Sequence, residues 1–114
     1  MAEVGLTKQS IVTTGLAPSM QAMATADNYT VANADELVFF YIDNQNAGTA
    51  TVTIATPFTK DGLALAELTA TLATTTQKMM GPFSKAYYND SDGKLSVTVD
   101  VVTVSIAALT LGSP

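Results

Sequence analysis

The chain has 114 residues, a length that suits one compact unit at the usual domain size of about 100–150 residues and leaves no room for a separate catalytic lobe. It carries five lysines, no arginine, ten acidic residues, no histidine, no cysteine and no tryptophan, for a formal net charge of −5. The missing imidazole and thiol exclude histidine-based acid–base catalysis, thiolate nucleophiles, His/Cys zinc sites and disulfides, and an acidic balance without arginine argues against nucleic acid.

At 47% hydrophobic and 13% charged, against a usual charged share of about 25%, the chain is too apolar for disorder and short of surface ions. Part of that uncharged surface is expected to meet a partner. Glu3, Lys8 and Gln9 interrupt the N-terminus, so no secretory signal is expected, and the longest apolar runs fall far short of the roughly 20 residues of a membrane span. The expectation is therefore no membrane association. The triplets Asn28-Tyr29-Thr30 and Asn89-Asp90-Ser91 match the glycosylation acceptor pattern and are set aside as coincidence in a chain expected to be intracellular.

Residues 1–27 are rich in Ala, Thr, Ser and Met with little patterning beyond Ser10-Ile11-Val12-Thr13, and they read as an N-terminal arm or edge segment that orders on a partner. Gly15 and Pro18 suit a bent connector. A single β-sandwich domain is expected over 28–114. Leu37–Ile42 is apolar on both faces, as in a central strand covered twice or one that touches a neighbouring chain. Asp43–Gly48 supplies turn formers, and Ala50–Thr56 then alternates, with Val52 and Ile54 on one face and Thr51 and Thr53 on the other, until Pro57 ends it.

Glu67–Leu72 reads as a strand, although Leu65, Leu68 and Leu72 are also spaced for a short amphipathic helix; the following threonines are poor helix formers. Gln77–Met80 and Ala86–Tyr88 are expected as two further short strands flanking the breaker Gly81-Pro82. Leu95, Val97, Val99 and Val101 alternate with Ser96, Thr98 and Asp100 in the cleanest strand pattern of the chain. Val102, Val104, Ile106 and Ala108 then alternate in the opposite phase and carry on to Leu109 and Leu111, which is explained by a hairpin turn at Val101–Thr103 or by a bend. Residues 112–114 read as a tail. About eight short strands with regular turn signals predict an all-β fold, an antiparallel β-sandwich or jelly roll.

Candidate chemistry is sparse. Asn89-Asp90-Ser91-Asp92-Gly93 has the carboxylate spacing and glycine of a calcium loop, with Asp90 and Asp92 as candidate ligands, but no glutamate closes a twelve-residue loop and a plain turn needs the same letters. Asp35 with Glu36, or Asp90 with Asp92, would be the carboxylate pairs for acid–base work, yet both lie in hydrophilic contexts that suit ordinary solvated turn charges. There is no nucleophile elbow, triad or phosphate loop, so no enzyme, no cofactor and no small-molecule substrate are expected. Met79, Met80, Phe83, Tyr87 and Tyr88 form an adaptable apolar and aromatic cluster that suits either an interface or a core. Ile11, Val12, Met20, Met23, Phe39, Tyr41, Met79, Phe83 and Tyr87 are taken as candidate partner-contact residues.

Met80-Gly81-Pro82-Phe83, then Tyr88-Asn89-Asp90 and Gly93-Lys94-Leu95-Ser96-Val97-Thr98 before a Val-rich end, resembles a family of short all-β virion proteins of tailed bacteriophages. In that family a hydrophobic-Gly-Pro-Phe element precedes an aromatic-Asn-Asp-x-x-Gly turn and a Val-x-Val-Thr strand. The Leu37–Asp43 strand and Thr51-Val52-Thr53-Ile54 are also similar, so the resemblance covers roughly residues 27–111. It implies a capsid decoration or cement protein, made in the host cytoplasm and located on the virion, that binds the major capsid protein. The symmetry axes of a shell favour a homotrimer or homodimer, and residues 1–27 are expected to contact the major capsid protein or a sibling subunit. The resemblance brings no catalytic residues. The alternative expectation is a head-fibre, tail or receptor-binding module recognising a surface or glycan; a calcium-dependent enzyme ranks last.

Overall fold

The computed structural model describes residues 3–33, 38–57, 59–64 and 66–111; Asp35, Glu36, Leu37 and the tail at 112–114 lie outside them. Among the described residues, period-two alternation builds twelve strands: β1 (Glu3–Gly5), β2 (Lys8–Ile11), β3 (Gln21–Met23), β4 (Asn28–Ala32), β5 (Phe39–Asn44), β6 (Ala50–Ile54), β7 (Thr59–Lys60), β8 (Leu63–Ala64), β9 (Leu68–Leu72), β10 (Gln77–Met80), β11 (Lys94–Val99) and β12 (Val104–Leu111). A one-turn helix, α1 (Lys85–Tyr88), sits between β10 and β11.

Two sheets pack face to face as an all-β sandwich. Sheet A has the order β1-β4-β11-β6-β9; sheet B has the order β10-β5-β12-β2, with β3 pairing the same edge of β12 beyond the end of β2. The central strands of the two sheets turn one side inward. Tyr29, Val31, Val52, Ile54, Leu95, Val97 and Val99 from sheet A meet Phe40, Ile42, Val104, Ile106 and Ala108 from sheet B in a single buried core. At about 25 cal/mol per Å² of apolar surface removed from water, this shared interior is the main favourable term of the fold.

The sheets are mixed rather than wholly antiparallel, because β1 pairs β4 and β2 pairs β12 in parallel. The chain passes from β1 in one sheet to β2 in the other through Leu6 and Thr7 without reversing, and the N–H of Leu6 still donates to the carbonyl of Thr30 at 2.7 Å. The stretch read as an arm or edge segment thus supplies three short strands to the sandwich edges. Met23 from β3 is buried in the core, and the Tyr29 hydroxyl accepts from the N–H of Ala24 at 2.7 Å and donates to the carbonyl of Ala22 at 3.2 Å. Deleting residues 1–27 would strip these pairings, so point substitutions are the cleaner probe of this segment.

The expected hairpin at Val101–Thr103 is not formed: β11 belongs to sheet A and β12 to sheet B. The alternation changes phase there because buried Val99 and buried Val104 are five residues apart, an odd spacing set by the connection that carries the chain from one sheet to the other. Thr103 takes a left-handed φ of 65° to make the crossing, and its carbonyl accepts from the N–H of Gln45 at 3.0 Å.

Ala86–Tyr88, expected as a strand, forms α1 instead. Ser84 caps it by accepting from the N–H of Ala86 at 3.2 Å, a local bond that favours a helical turn over an extended chain. The turn swings Tyr88 edge-on to Phe83 with ring centroids 5.3 Å apart, and Phe83 in turn packs on Phe40 at 5.4 Å. The strands expected at Gln77–Met80 and within Glu67–Leu72 are present as β10 and β9. β7 and β8 form a separate ribbon around Asp61-Gly62, whose φ values of 54° and 79° are those of a two-residue hairpin turn with both central residues left-handed.

Candidate partner-binding face

The two outer faces of the sandwich differ in chemistry. On sheet A the outward positions are polar: Thr98 lies opposite Thr53, which lies opposite Thr69, and Thr51 lies opposite Thr71. Ser96 on β11 donates to the side chain of Asn28 on β4. This is the wet face that the alternating threonines predict.

On sheet B the same alternation turns apolar groups outward. The register places Met79 opposite Tyr41 and Tyr41 opposite Ala107 in one row, Phe39 opposite Leu109 in the next, and Ile11 opposite Leu111 beyond it. Met79 is 63% exposed and Leu111 74% exposed, while Phe39, Tyr41 and Ile11 are half-buried. Leu109 is buried, hemmed in register by Phe39 on one side and Gln9 on the other. Gln77 and Asp43 close the stripe at one end, with the Gln77 amide donating to the Asp43 carboxylate at 2.9 Å.

Beside this stripe the edge of β12 away from β5 is left unpaired for one residue among the described residues. β3 bonds it at Val104–Ile106 and β2 at Ala108–Leu111, so Ala107 falls in the gap. A cleft of about 350 Å³ opens there, lined among others by Leu6, Thr7, Met20, Gln21 and Ala107. Its outer wall is held by Gln9, whose amide donates to the carbonyl of Ser19 and accepts from the N–H of Ser19, both at 2.8 Å.

Of the nine candidate contact residues, Ile11, Phe39, Tyr41 and Met79 share this face, and Met20 lines its cleft. Val12 follows Ile11 and is 45% exposed, and Tyr87 is 47% exposed on α1. Met23 and Phe83 correct the expectation: both are under 5% exposed in the core, where the rings of Phe40 and Tyr88 enclose Phe83. Leu109 and Leu111 were not among the nine. Their phase, opposite to Ile106 and Ala108, was the available signal.

Asp90 and Asp92 lie in the turn before β11. The Asp90 carboxylate accepts from the N–H of Asp92 at 2.9 Å and of Lys94 at 3.1 Å, and the N–H of Gly93 donates to the carbonyl of Asp90 at 3.0 Å. The carboxylate therefore serves as a turn-forming acceptor. Asn89 and Asn33 exchange side-chain bonds behind it, Asn33 donating to the Asn89 oxygen at 2.9 Å and Asn89 to the Asn33 carbonyl at 3.0 Å. The pair Asp35 and Glu36 lies outside the described residues. Among those that are described, no three acidic, His or Cys side chains converge. Set against protein-family models, curated proteins and solved structures, the chain matches none.

Proposed function

We propose that the chain is a structural binding subunit, a capsid decoration or cement protein that docks on the major capsid protein of a tailed-phage head through the outer face of sheet B. The observation that carries the reading is the apolar stripe from Met79 through Tyr41 and Phe39 to Ile11 and Leu111, on a face where a solitary sandwich places polar residues. The resemblance of Met80-Gly81-Pro82-Phe83 and the Asn89–Gly93 turn to short virion proteins supplies the class of partner.

Magnitude narrows the mode of binding. The stripe crosses four strands at about 4.8 Å spacing and runs from Ala107 to Leu111 along β12, so it covers roughly 15 by 17 Å, or about 250 Å². A stable one-to-one interface needs about 800 Å² per partner. A single face of this size holds well only when a repeating lattice presents several contacts at once.

The test follows tagged chain mixed with phage particles and empty shells through a density gradient. The parent chain is expected to co-migrate with empty shells. Met79→Asp, which puts a charge at the edge of the stripe, is expected to weaken that association about tenfold or more while changing stability by no more than about 0.5 kcal/mol. A folded parent chain that stays at the top of the gradient, with shell sites vacant, would overturn the reading and shift the weight to a tail or receptor-binding role.

A further inference from the structure

The four open edges of the sandwich are not alike. β1 and β3 have three residues each, β1 carries Glu3, β2 carries Lys8 and β10 carries Lys78, all devices that discourage another strand from pairing. β9 has five residues, Leu68-Thr69-Ala70-Thr71-Leu72, with no charge, proline or glycine, and among the described residues no strand pairs its outer side.

Its hydrogen-bond phase follows from its neighbours. Thr51 on β6 turns its backbone toward β11: its N–H donates to the Asp100 carboxylate at 2.7 Å and its carbonyl accepts from the N–H of Asp100 at 3.2 Å. The carbonyl of Ser96 likewise accepts from the N–H of Ala55. Thr51 and Thr53 therefore face away from β9, and their partners Thr71 and Thr69 face away from β6. The Thr71 carbonyl confirms that direction by accepting from the Lys78 ammonium at 3.3 Å. The outward ladder of β9 consists of Thr69 and Thr71.

The strand reads the same in both directions about Ala70. We propose that a second copy of this chain pairs with β9 antiparallel across a two-fold axis at Ala70, joining two A sheets into one of ten strands. In that register Thr69 faces Thr71 of the second copy and each pair exchanges two backbone bonds, so all outward groups of both strands are used. Thr71 retains a lone pair for Lys78. Leu68 faces Leu72 of the copy, and no like charges oppose each other within the strand. Such self-complementarity is the condition for an isologous interface, which no unrelated extended segment would meet for the same reason.

The inference stands apart from the shell reading, because its test needs only the purified chain. Sedimentation over a concentration series is expected to show reversible dimers, and Thr69→Pro is expected to weaken them at least tenfold. Proline there removes an outward N–H and leaves the bonds to β6 in place. The chain has no cysteine, so Ala70→Cys reports register directly. Facing non-bonded positions sit about 4.5 Å apart at Cα, within disulfide reach, whereas two Thr69 positions are offset by two residues. Ala70→Cys is expected to oxidise to a covalent dimer and Thr69→Cys to lag at least tenfold. A chain that stays monomeric, a dimer indifferent to Thr69→Pro in folded protein, or equal cross-linking of the two cysteine variants would overturn the proposal.

Discussion

Gly81→Ala is expected to destabilise the fold by about 3–5 kcal/mol, the sum of a strained backbone and an overpacked contact. Gly81 has φ of 126°, a region that residues with a Cβ rarely occupy. An added Cβ would lie 2.8 Å from the Cβ and 2.9 Å from the Cα of Phe39, and 3.2 Å from the ring of Phe83. Two of those atoms are fixed by the ladder of β5, so neither a rotamer change nor a small tilt relieves the clash. The only escape is for the end of β10 to move, and Met80 pairs Phe40 there while Met79 pairs Tyr41. The substitution therefore also disturbs the proposed docking face. Urea unfolding of parent and variant measures it: with a slope of about 1–3 kcal/mol per molar, the midpoint should fall by at least 1 M. A midpoint within error of the parent would show that the chain reaches this corner by another route.

Asn44 is expected to be the costliest polar position. Its side chain is fully buried at the end of β5, and its amide nitrogen donates to the carbonyls of Gly48 at 3.1 Å, Leu72 at 2.9 Å and Ala73 at 3.2 Å. Its oxygen accepts from the N–H of Asn46 at 2.9 Å, and its own N–H donates to the carbonyl of Thr76 at 3.0 Å. One residue thus ties the loop after β5 to the loop between β9 and β10, bridging the two sheets. Asn44→Ala should lose about 2–4 kcal/mol, since it leaves buried carbonyls without a donor and opens a small void. Asn44→Asp should be worse at neutral pH. A carboxylate facing three carbonyls has its folded-state pKa raised above the unfolded value, so its penalty grows as pH rises through that range and shrinks as pH falls. Thermal unfolding of the Asp variant against the parent at pH 4.5 and pH 7.5 reads the sign. Equal losses at both pH values would mean that the amide nitrogen is not the group that matters.

Both positions illustrate what a linear reading registers and what it passes over. Gly81 stood out beside Pro82 as a strand breaker, and the turn chemistry of Asn44 was visible. That a Phe39 backbone lies against one and three carbonyls surround the other depends on strands distant in sequence. The Asp61-Gly62 turn between β7 and β8 was a legible hairpin signal that the leucine spacing around it obscured. The helical turn at Lys85–Tyr88 was masked because two tyrosines favour strands when neighbours are ignored, while the Ser84 hydroxyl and carbonyl accept from the N–H groups of Ala86, Tyr87 and Tyr88 and close a helical turn.

What the amino-acid order determined by itself is the all-β class, most strand positions and the absence of imidazole and thiol chemistry. Alternation of side chains with period two is a local consequence of backbone geometry and survives in any context. Tertiary structure alone decided which sheet each strand joins, and hence which alternate face is covered. Met23 and Phe83 went to the core, and Ile11, Phe39, Tyr41 and Met79 went to one open face, because the second layer that buries a residue comes from segments tens of residues away. The phase reversal between β11 and β12 has the same origin: their connection puts buried Val99 and buried Val104 an odd number of residues apart, whereas the crossing from β5 to β6 keeps Phe40, Ile42, Val52 and Ile54 in one phase.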